Sequence, residues 1–143
     1  MQRLIAISAL FLTCLLGTTP TLAASLGERL AKADPIAGQK SAHICGVCHS
    51  FGKGEDAKVG PNLYGIIGAK HAHMQGFNYS AAMKETADKT WTYDELDAFL
   101  TSPRAHIPGT RMAYAGIKDD GERANVILWL RTLSDNPQPL PKP

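Results

Sequence analysis

The sequence predicts an all-α fold, a single domain built from short helices, and three observations support this prediction. Ser, Thr and Asp residues stand at the start of several apolar stretches, where their side chains are expected to cap helices. The apolar residues in these stretches recur three and four positions apart, as they do on one face of a helix. No segment shows the sustained alternation of apolar and polar residues that is typical of strands.

The first predicted helix begins after Asp34, which is expected to be its N-cap, with Pro35 at the first helical position. This helix runs into Cys45. Residues 50–60 are rich in glycine and in charged side chains, which indicates a surface loop. Residues 63–67 form one short apolar turn, where the chain is expected to reach the core briefly.

Two further helices are predicted in the middle of the chain. Ser80 is expected to cap a short helix that continues through Ala87. Thr92 and Glu95 form the pattern of a capping box, in which each side chain bonds the other residue's exposed backbone amide. Apolar residues at helical spacing follow, and Pro103 is expected to end this helix.

The last predicted helix is introduced by Asp119 and Glu122, which repeat the capping pattern, and it has a clear apolar face. This helix ends by Asn136. Residues 136–143 alternate proline with other residues and are expected to form an extended tail. The domain itself is therefore predicted to span residues 24–135.

Residues 1–23 have the pattern of a secretory signal peptide. Arg3 supplies the positive start, residues 4–16 form a nearly unbroken apolar run, and Thr21 to Ala23 resembles a cleavage site. The run falls short of the ~20 residues that span a bilayer comfortably, so an uncleaved membrane anchor is the less favoured alternative. Export to the periplasm is therefore predicted.

The formal net charge of the whole chain is +2 at neutral pH. Loss of Arg3 with the signal peptide leaves about +1, which is too weak a field to attract nucleic acid or a strongly anionic membrane. Nucleic-acid binding is not expected.

Cys45, Cys48 and His49 form a C-x-x-C-H motif, which is the attachment signature of c-type haem. Each thiol can form a thioether to one haem vinyl group, and the histidine then lies beneath the iron. A thioredoxin-like redox pair would need a βαβ setting, which the sequence lacks. A zinc site would need two further ligands, and the other cysteine is Cys14 in the predicted signal peptide. The motif predicts one covalently bound haem c.

The sixth ligand of the iron decides whether the site is closed or open to small molecules. Met112 follows a segment that Pro108 and Gly109 shape into a fixed turn, which suits a weak thioether ligand. Residues 71–79 are expected to be irregular, and His71 and His73 are interpreted as lying on a solvated loop, with an adventitious metal site as the less favoured alternative. Spacing alone does not choose among the methionine and histidine side chains, which are Met74, Met83, Met112, His43, His71, His73 and His106.

The chain resembles the class I c-type cytochromes, specifically the mitochondrial cytochrome c group and its soluble bacterial relatives. The resemblance runs from about Gly38 to Leu133 and covers nearly the whole predicted domain. It rests on motifs in the family's order and spacing, which are Cys45-x-x-Cys48-His49, Val59-Gly60-Pro61-Asn62-Leu63, Gly76-Phe77-x-Tyr79, Trp91 and Ile107-Pro108-Gly109-Thr110-x-Met112-x-Tyr114-Ala115-Gly116-Ile117.

The resemblance implies a role for five side chains or backbone groups besides the two cysteines. His49 is expected to be the proximal iron ligand and Met112 the distal one. The carbonyl of Pro61 is expected to accept the Nδ1 hydrogen of His49 and fix the ring. Tyr79 and Trp91 match the side chains that hydrogen-bond a buried haem propionate.

The sequence also departs from the family. Ala69 stands where an arginine commonly neutralises the propionate, which leaves Lys70 or His71 as possible substitutes. Phe99 replaces a tyrosine near the methionine sulfur, and Met83 replaces an asparagine of a buried polar network. The haem surroundings are therefore expected to be drier than usual.

The expected function is that of a periplasmic, monomeric, single-haem electron carrier and not of an enzyme. It would move one electron at a time from a donor complex or dehydrogenase to a terminal oxidase or reductase. Two alternatives remain open: a carrier tethered by an uncleaved N-terminus or by the tail, and a haem enzyme or sensor in which Met112 is displaced.

Redox partners are expected to dock transiently near the haem edge. By the resemblance, four basic residues fall on this face, where positive charge speeds the encounter with acidic partners. These residues are Lys58, Arg104, Arg111 and Lys118.

Overall fold

The computed structural model describes residues 23–143, so the predicted signal peptide lies outside the described residues except for Ala23. Within this range the chain forms helices and no strand, apart from one isolated bridge between Lys70 and Thr90. The all-α prediction is therefore confirmed for these residues. The elements are α1 (Leu26–Ala31), α2 (Pro35–Ser41), the 3-10 helix η1 (Ala42–Val47), α3 (Ala81–Glu85), α4 (Tyr93–Thr101), α5 (Pro103–His106) and α6 (Asp120–Thr132).

All four predicted helix caps are confirmed. Asp34 accepts a hydrogen bond from the amide of Ile36 at 2.8 Å, and the other three caps bond the amide three residues on, as N-cap side chains do. Their distances are 3.2 Å for Ser80, 3.1 Å for Thr92 and 2.7 Å for Asp119. Local sequence therefore places the starts of α2, α3, α4 and α6.

Helix α1 was not predicted, although its start carries a complete capping box. The Ser25 hydroxyl accepts from the Glu28 amide at 3.1 Å, and the Glu28 carboxylate accepts from the Ser25 amide at 2.8 Å. The Ser-x-x-Glu pattern was visible in the sequence. Leu30 anchors this helix in the core, where it is 2% exposed.

The reciprocal capping pattern predicted at the starts of α4 and α6 is wrong in one half at each helix. Asp119 caps α6, but the Glu122 side chain does not return a bond to the Asp119 amide. At α4 the local partner is replaced by others. The Thr92 hydroxyl caps the helix, but the Thr92 amide donates to the carbonyl of Thr90 at 2.8 Å. The Glu95 carboxylate instead accepts from Nε2 of His106 at 2.8 Å. A hydrogen bond to an ionisable ring competes well with one to a neutral amide, so the tertiary partner replaces the local one.

Helix α6 is the centre of the packing and contacts α1, α2 and α4. Ala124, Val126 and Ile127 on its inner face are almost fully buried. The crossing with α2 is close because Gly38 has no side chain: a Cβ there would overlap the carbonyl oxygen of Asn125. Burial of these apolar side chains supplies the main driving force for this packing.

A cluster of charged side chains, the Asp97 cluster, joins α1, α4 and α6 and consists of Arg29, Asp97, Asp120 and Arg123. Both terminal nitrogens of Arg29 donate hydrogen bonds to the Asp97 carboxylate, at 2.8 and 3.0 Å. Nε of Arg123 donates to the same carboxylate at 2.8 Å. Burial disfavours the charged form of Asp97, but the hydrogen bonds from both arginines outweigh this and lower its pKa. Arg123 also donates to the carbonyl of Ile117 at 2.7 Å.

The tail at residues 136–143 runs back over the domain. The carbonyl of Gln138 accepts hydrogen bonds from the Tyr93 hydroxyl and from Nε of Arg131, both at 2.8 Å. Near its end the tail lies against α1 so closely that a Cβ on Gly27 would overlap the Lys142 carbonyl oxygen. Over residues 23–143, no helix has both the length and the apolar character needed to cross a membrane.

Candidate functional site

A cavity of about 570 Å³ opens between η1, α3, α4, α6 and the loops at residues 59–61 and 110–114. Its volume lies within the ~300–1,000 Å³ that is usual for cofactor pockets, and its lining is mainly apolar. Every residue predicted to bind the cofactor lines this cavity, namely Cys45, Cys48, His49, Pro61, Tyr79, Trp91 and Met112.

Cys45 and Cys48 lie on η1 and at its C-terminal end, and both carry free, partly buried thiols. Burial raises the pKa of the Cys45 thiol, with a smaller contribution from Cys48, whereas a reactive redox thiol needs a lowered pKa. No three His, Cys, Asp or Glu side chains within residues 23–143 converge as metal ligands. The structure therefore gives the thioredoxin-like and zinc interpretations no support.

The His49 ring is held in one orientation. Its Nδ1 donates to the carbonyl of Pro61 at 2.7 Å, which leaves the lone pair of Nε2 free. Burial lowers the pKa of His49, so the ring is neutral, the form in which imidazole binds metals. Gly60 permits this arrangement, because a Cβ there would overlap the imidazole ring.

Three of the side chains considered for the sixth iron ligand line the cavity: His73, Met83 and Met112. Met83 lies on α3 and is 8% exposed. Met112 lies in the loop after α5, where its amide bonds the Thr110 hydroxyl at 3.3 Å. The other considered residues, Met74, His43, His71 and His106, do not line it.

Several polar side chains interrupt the mainly apolar lining of the cavity. The Tyr79 hydroxyl accepts from the Met74 amide at 3.2 Å, so its own hydrogen remains available to donate. Trp91 is 5% exposed and packs edge-on against Phe99 at 5.0 Å. His73 adds an imidazole to the lining. Two donors and an imidazole suit a negatively charged cofactor substituent.

Neither residue proposed to substitute for the missing arginine reaches the cavity. Lys70 donates to the carbonyl of Asp88 at 2.6 Å on the surface, because its pairing with Thr90 turns it away. His71 is 1% exposed and stacks on the Trp91 ring at 3.8 Å, so the interpretation of this segment as solvated is wrong for His71. Ala72 turns the chain between the histidines with a φ of 52°.

Haem c fits these residues. Two thiols stand next to a neutral imidazole with a free Nε2, a thioether shares the same cavity, and the lining offers apolar surface for a macrocycle and donors for its carboxylates. At the mouth, Ile44, Val47 and Val59 are 55%, 66% and 79% exposed. The four basic residues predicted to bind partners are also exposed.

Several known proteins are similar to this chain in sequence. The chain is 51% identical over 105 residues to a protein of Bradyrhizobium diazoefficiens named cytochrome c homolog, a match that covers 73% of this chain and 56% of that protein. It is 39% identical over 102 residues to cytochrome c2 of Rhodomicrobium vannielii, which covers 71% of this chain and 81% of that protein. The chain thus spans little more than half of the first relative's length.

Among solved structures, cytochrome cH from Methylobacterium extorquens superposes with a TM-score of 0.65 at 36% identity, covering 70% of this chain and 99% of that one. No family model matches the chain. The agreement in sequence, fold and cavity gives one conclusion. The chain belongs to the class I c-type cytochromes and carries one covalently bound haem c.

Proposed function

We propose that the protein is a periplasmic single-haem electron carrier in which Cys45 and Cys48 hold the haem through thioethers, and His49 and Met112 bind its iron. The observation that carries this proposal is the fixed, neutral His49 ring in the same apolar cavity as Met112. Haem iron supplies a centre that gains and loses one electron. If His49 and Met112 both bound the iron, they would leave it no coordination position for a substrate.

The remaining residues of the site position the cofactor. Pro61 fixes the His49 ring and increases the basicity of its free nitrogen. Tyr79 and Trp91 are proposed to donate to the propionates. Phe99 and Met83, which are buried and line the same cavity as Met112, are proposed to keep water away from the methionine side. A rigid, water-excluding site lets the electron move without large rearrangement of its surroundings.

The ligand assignment is tested by the absorption spectrum of the oxidised protein, which shows a methionine–iron charge-transfer band when a thioether is bound. Met112→Leu is expected to abolish this band while the haem stays attached. Met83→Leu is the matched control, since Met83 lines the same cavity and Leu conserves its volume. A band that survives in Met112→Leu, or disappears in Met83→Leu, would show that the assignment is wrong.

Partners are proposed to dock on the cavity mouth, in small and transient complexes. Ile44, Val47 and Val59 offer an apolar centre there, since all three are exposed and line the opening. Lys58, which donates to the carbonyl of Gly46 at 2.9 Å, and Arg111, which donates to that of Asn78 at 2.8 Å, lie beside it. Their charge is expected to speed encounter with acidic donor and acceptor proteins.

Arg104 and Lys118 are proposed to extend the same positive rim, and both are exposed. Electron-transfer rates to an acidic acceptor are expected to fall as salt rises, and Lys58→Gln is expected to weaken that dependence. Lys32→Gln, on an exposed residue at the end of α1, serves as the control. Electron-transfer rates that do not change with ionic strength would contradict electrostatic steering. Docking would then depend on the apolar centre.

A further inference from the structure

A second group of polar side chains, most of them ionisable, lies behind the cavity wall. This Glu95 cluster consists of His71, Thr86, Lys89, Glu95 and His106. His71 connects it to the haem site, because its ring stacks on Trp91 with centroids 3.8 Å apart and planes 23° apart. Trp91 lines the cavity and His71 does not, so the indole lies between the cluster and the cofactor.

Hydrogen bonding fixes where the proton of His71 is carried. The Thr86 hydroxyl has one hydrogen, and it donates this to the carbonyl of Met83 at 3.0 Å, since a carbonyl can only accept. The contact of 2.8 Å between Thr86 Oγ1 and His71 Nδ1 therefore requires the hydrogen to be on Nδ1. In a neutral ring, Nε2 then carries a lone pair.

That lone pair faces a carboxylate. Nε2 of His71 is buried without a hydrogen-bond partner and lies 3.7 Å from Oε1 of Glu95. Two acceptors that face each other in a low-dielectric interior repel, whereas a proton on Nε2 turns the contact into an attraction. The position is therefore set up to gain one proton.

Charged groups from each neighbouring element act on this position. On Oε1 of Glu95, His106 from α5 donates at 2.8 Å, and Lys89 lies 4.0 Å away. Burial lowers the pKa of His71; Glu95 raises it, Lys89 and His106 lower it, and Asp88 raises it. The side chains of Glu95 and His106 are 21% and 24% exposed, which gives a proton a route between solvent and Nε2.

We infer that His71 couples proton binding to the oxidation state of the haem, as a positioning residue that acts through Trp91. When the carrier gains an electron from its donor, Nε2 of His71 takes up a proton from solvent and closes the contact with Glu95. When the electron leaves, the proton returns to solvent. The added positive charge favours the reduced state, and by linkage the reduced state favours the proton.

This inference rests on the proposed electron-carrier function and is tested on the haem-loaded protein by redox titration across the range in which histidine titrates. The midpoint potential of the wild type is expected to fall as pH rises through one interval and to be flat on either side. His71→Gln is expected to remove the slope. Glu95→Gln is expected to move the interval to lower pH, because the anion that stabilises the proton is gone.

His43→Gln is the matched control, since His43 is exposed and lies outside the cluster; it is expected to keep the wild-type profile. His106→Gln is expected to keep a slope, which separates the two histidines. Proton titration of the His71 ring by NMR gives a second readout, with a higher pKa expected in the reduced protein than in the oxidised one. This readout needs no variant, so it remains decisive if His71→Gln does not fold.

Two outcomes would overturn the inference: a flat wild-type profile, or a slope that persists unchanged in His71→Gln. An NMR pKa that is equal in both oxidation states would also overturn it. Failure of the electron-carrier proposal looks different, because the protein would then show no reversible one-electron titration at any pH.

Discussion

Helix α4 carries two partly buried carboxylates, and they are built into the fold in different ways. Both oxygens of Asp97 are bound by arginines, Arg29 and Arg123, which stay charged at any ordinary pH. Glu95 lies two residues earlier and is surrounded by His71, His106 and Lys89, at 3.7, 2.8 and 4.0 Å. One carboxylate thus has permanent partners and the other has titratable ones.

The difference follows from what each cluster is next to. The Asp97 cluster joins the three helices α1, α4 and α6. The Glu95 cluster joins α4 and α5 to the loop behind Trp91, next to the cofactor. A charge that must not change suits a structural junction, and a charge that can change suits a position beside a redox centre.

The largest effect expected is from Asp97→Asn, which removes the carboxylate that Arg29 and Arg123 share and leaves Arg123, with a side chain only 4% exposed, with Asp120 alone as its anion. Breaking a buried ion pair on one side costs about 3–5 kcal/mol of unfolding free energy. Chemical denaturation of the haem-loaded protein measures this loss. Asp94→Asn, on an exposed residue in the first turn of the same helix, is the control and is expected to cost about 0.3–1 kcal/mol. Equal losses for both variants would mean that Asp97 has no special structural role.

A smaller effect is expected from Thr86→Val, which removes the acceptor for Nδ1 of His71. A buried donor without a partner costs about 1–3 kcal/mol. Thr132→Val is the comparison, because the Thr132 hydroxyl bonds a carbonyl at 2.7 Å on the exposed end of α6, and little change is expected. Thermal unfolding of both variants tests the prediction. A Thr86→Val protein as stable as the wild type would show that the His71 ring does not depend on this bond.

The smallest effect is expected on acid sensitivity. Burial raises the pKa of Glu95, but the His106 hydrogen bond and nearby positive charges outweigh it, so the folded-state pKa lies below its ordinary value. Ionised Glu95 therefore contributes stability above its unfolded pKa of about 4.3, and this is lost as pH falls through the folded pKa. Because Glu95 is partly exposed, the contribution is about 0–1 kcal/mol.

Glu95→Gln is expected to remove this part of the stability loss at acid pH. The measurement is the unfolding free energy as a function of pH. A second part remains in the variant, since the folded-state pKa of His71 is lowered, chiefly by burial. Its contribution is present above about pH 6.5 and is lost as pH falls below that value, because the unfolded chain then binds the proton first. An unchanged pH profile in Glu95→Gln would contradict the contrast with Asp97.

Contacts between residues close together in the sequence could be predicted from it, and contacts between residues far apart in the sequence could not. N-caps such as Asp34 and Asp119 depend on an amide a few residues away, and the C-x-x-C-H motif is contiguous. Arg29 and Asp97 are 68 positions apart in the sequence, so no local sequence pattern predicts that they pair. The predicted bond from Glu95 to the Thr92 amide was wrong for the same reason, since its actual partner, His106, lies on the next helix.

The seven residues expected from the family motifs to bind the cofactor all line the cavity. The position of His71 could not be predicted in this way, since it depends on Ala72 adopting a φ of 52°, which an alanine rarely does. That turn places one histidine on Trp91 and the next on the cavity wall. A side chain that looks solvated in sequence is thereby buried beside the haem site.

The contact between the tail and α1 also makes a circular permutation of the chain feasible. Since Gly27 touches Lys142, a short peptide linker can join the two ends of the folded domain, and new termini can be opened at the exposed Gln75–Gly76. In such a circular permutant the ribosome would deliver the Met112 loop ahead of the attachment motif. Haem maturation would then have to proceed on a chain whose distal half emerges first.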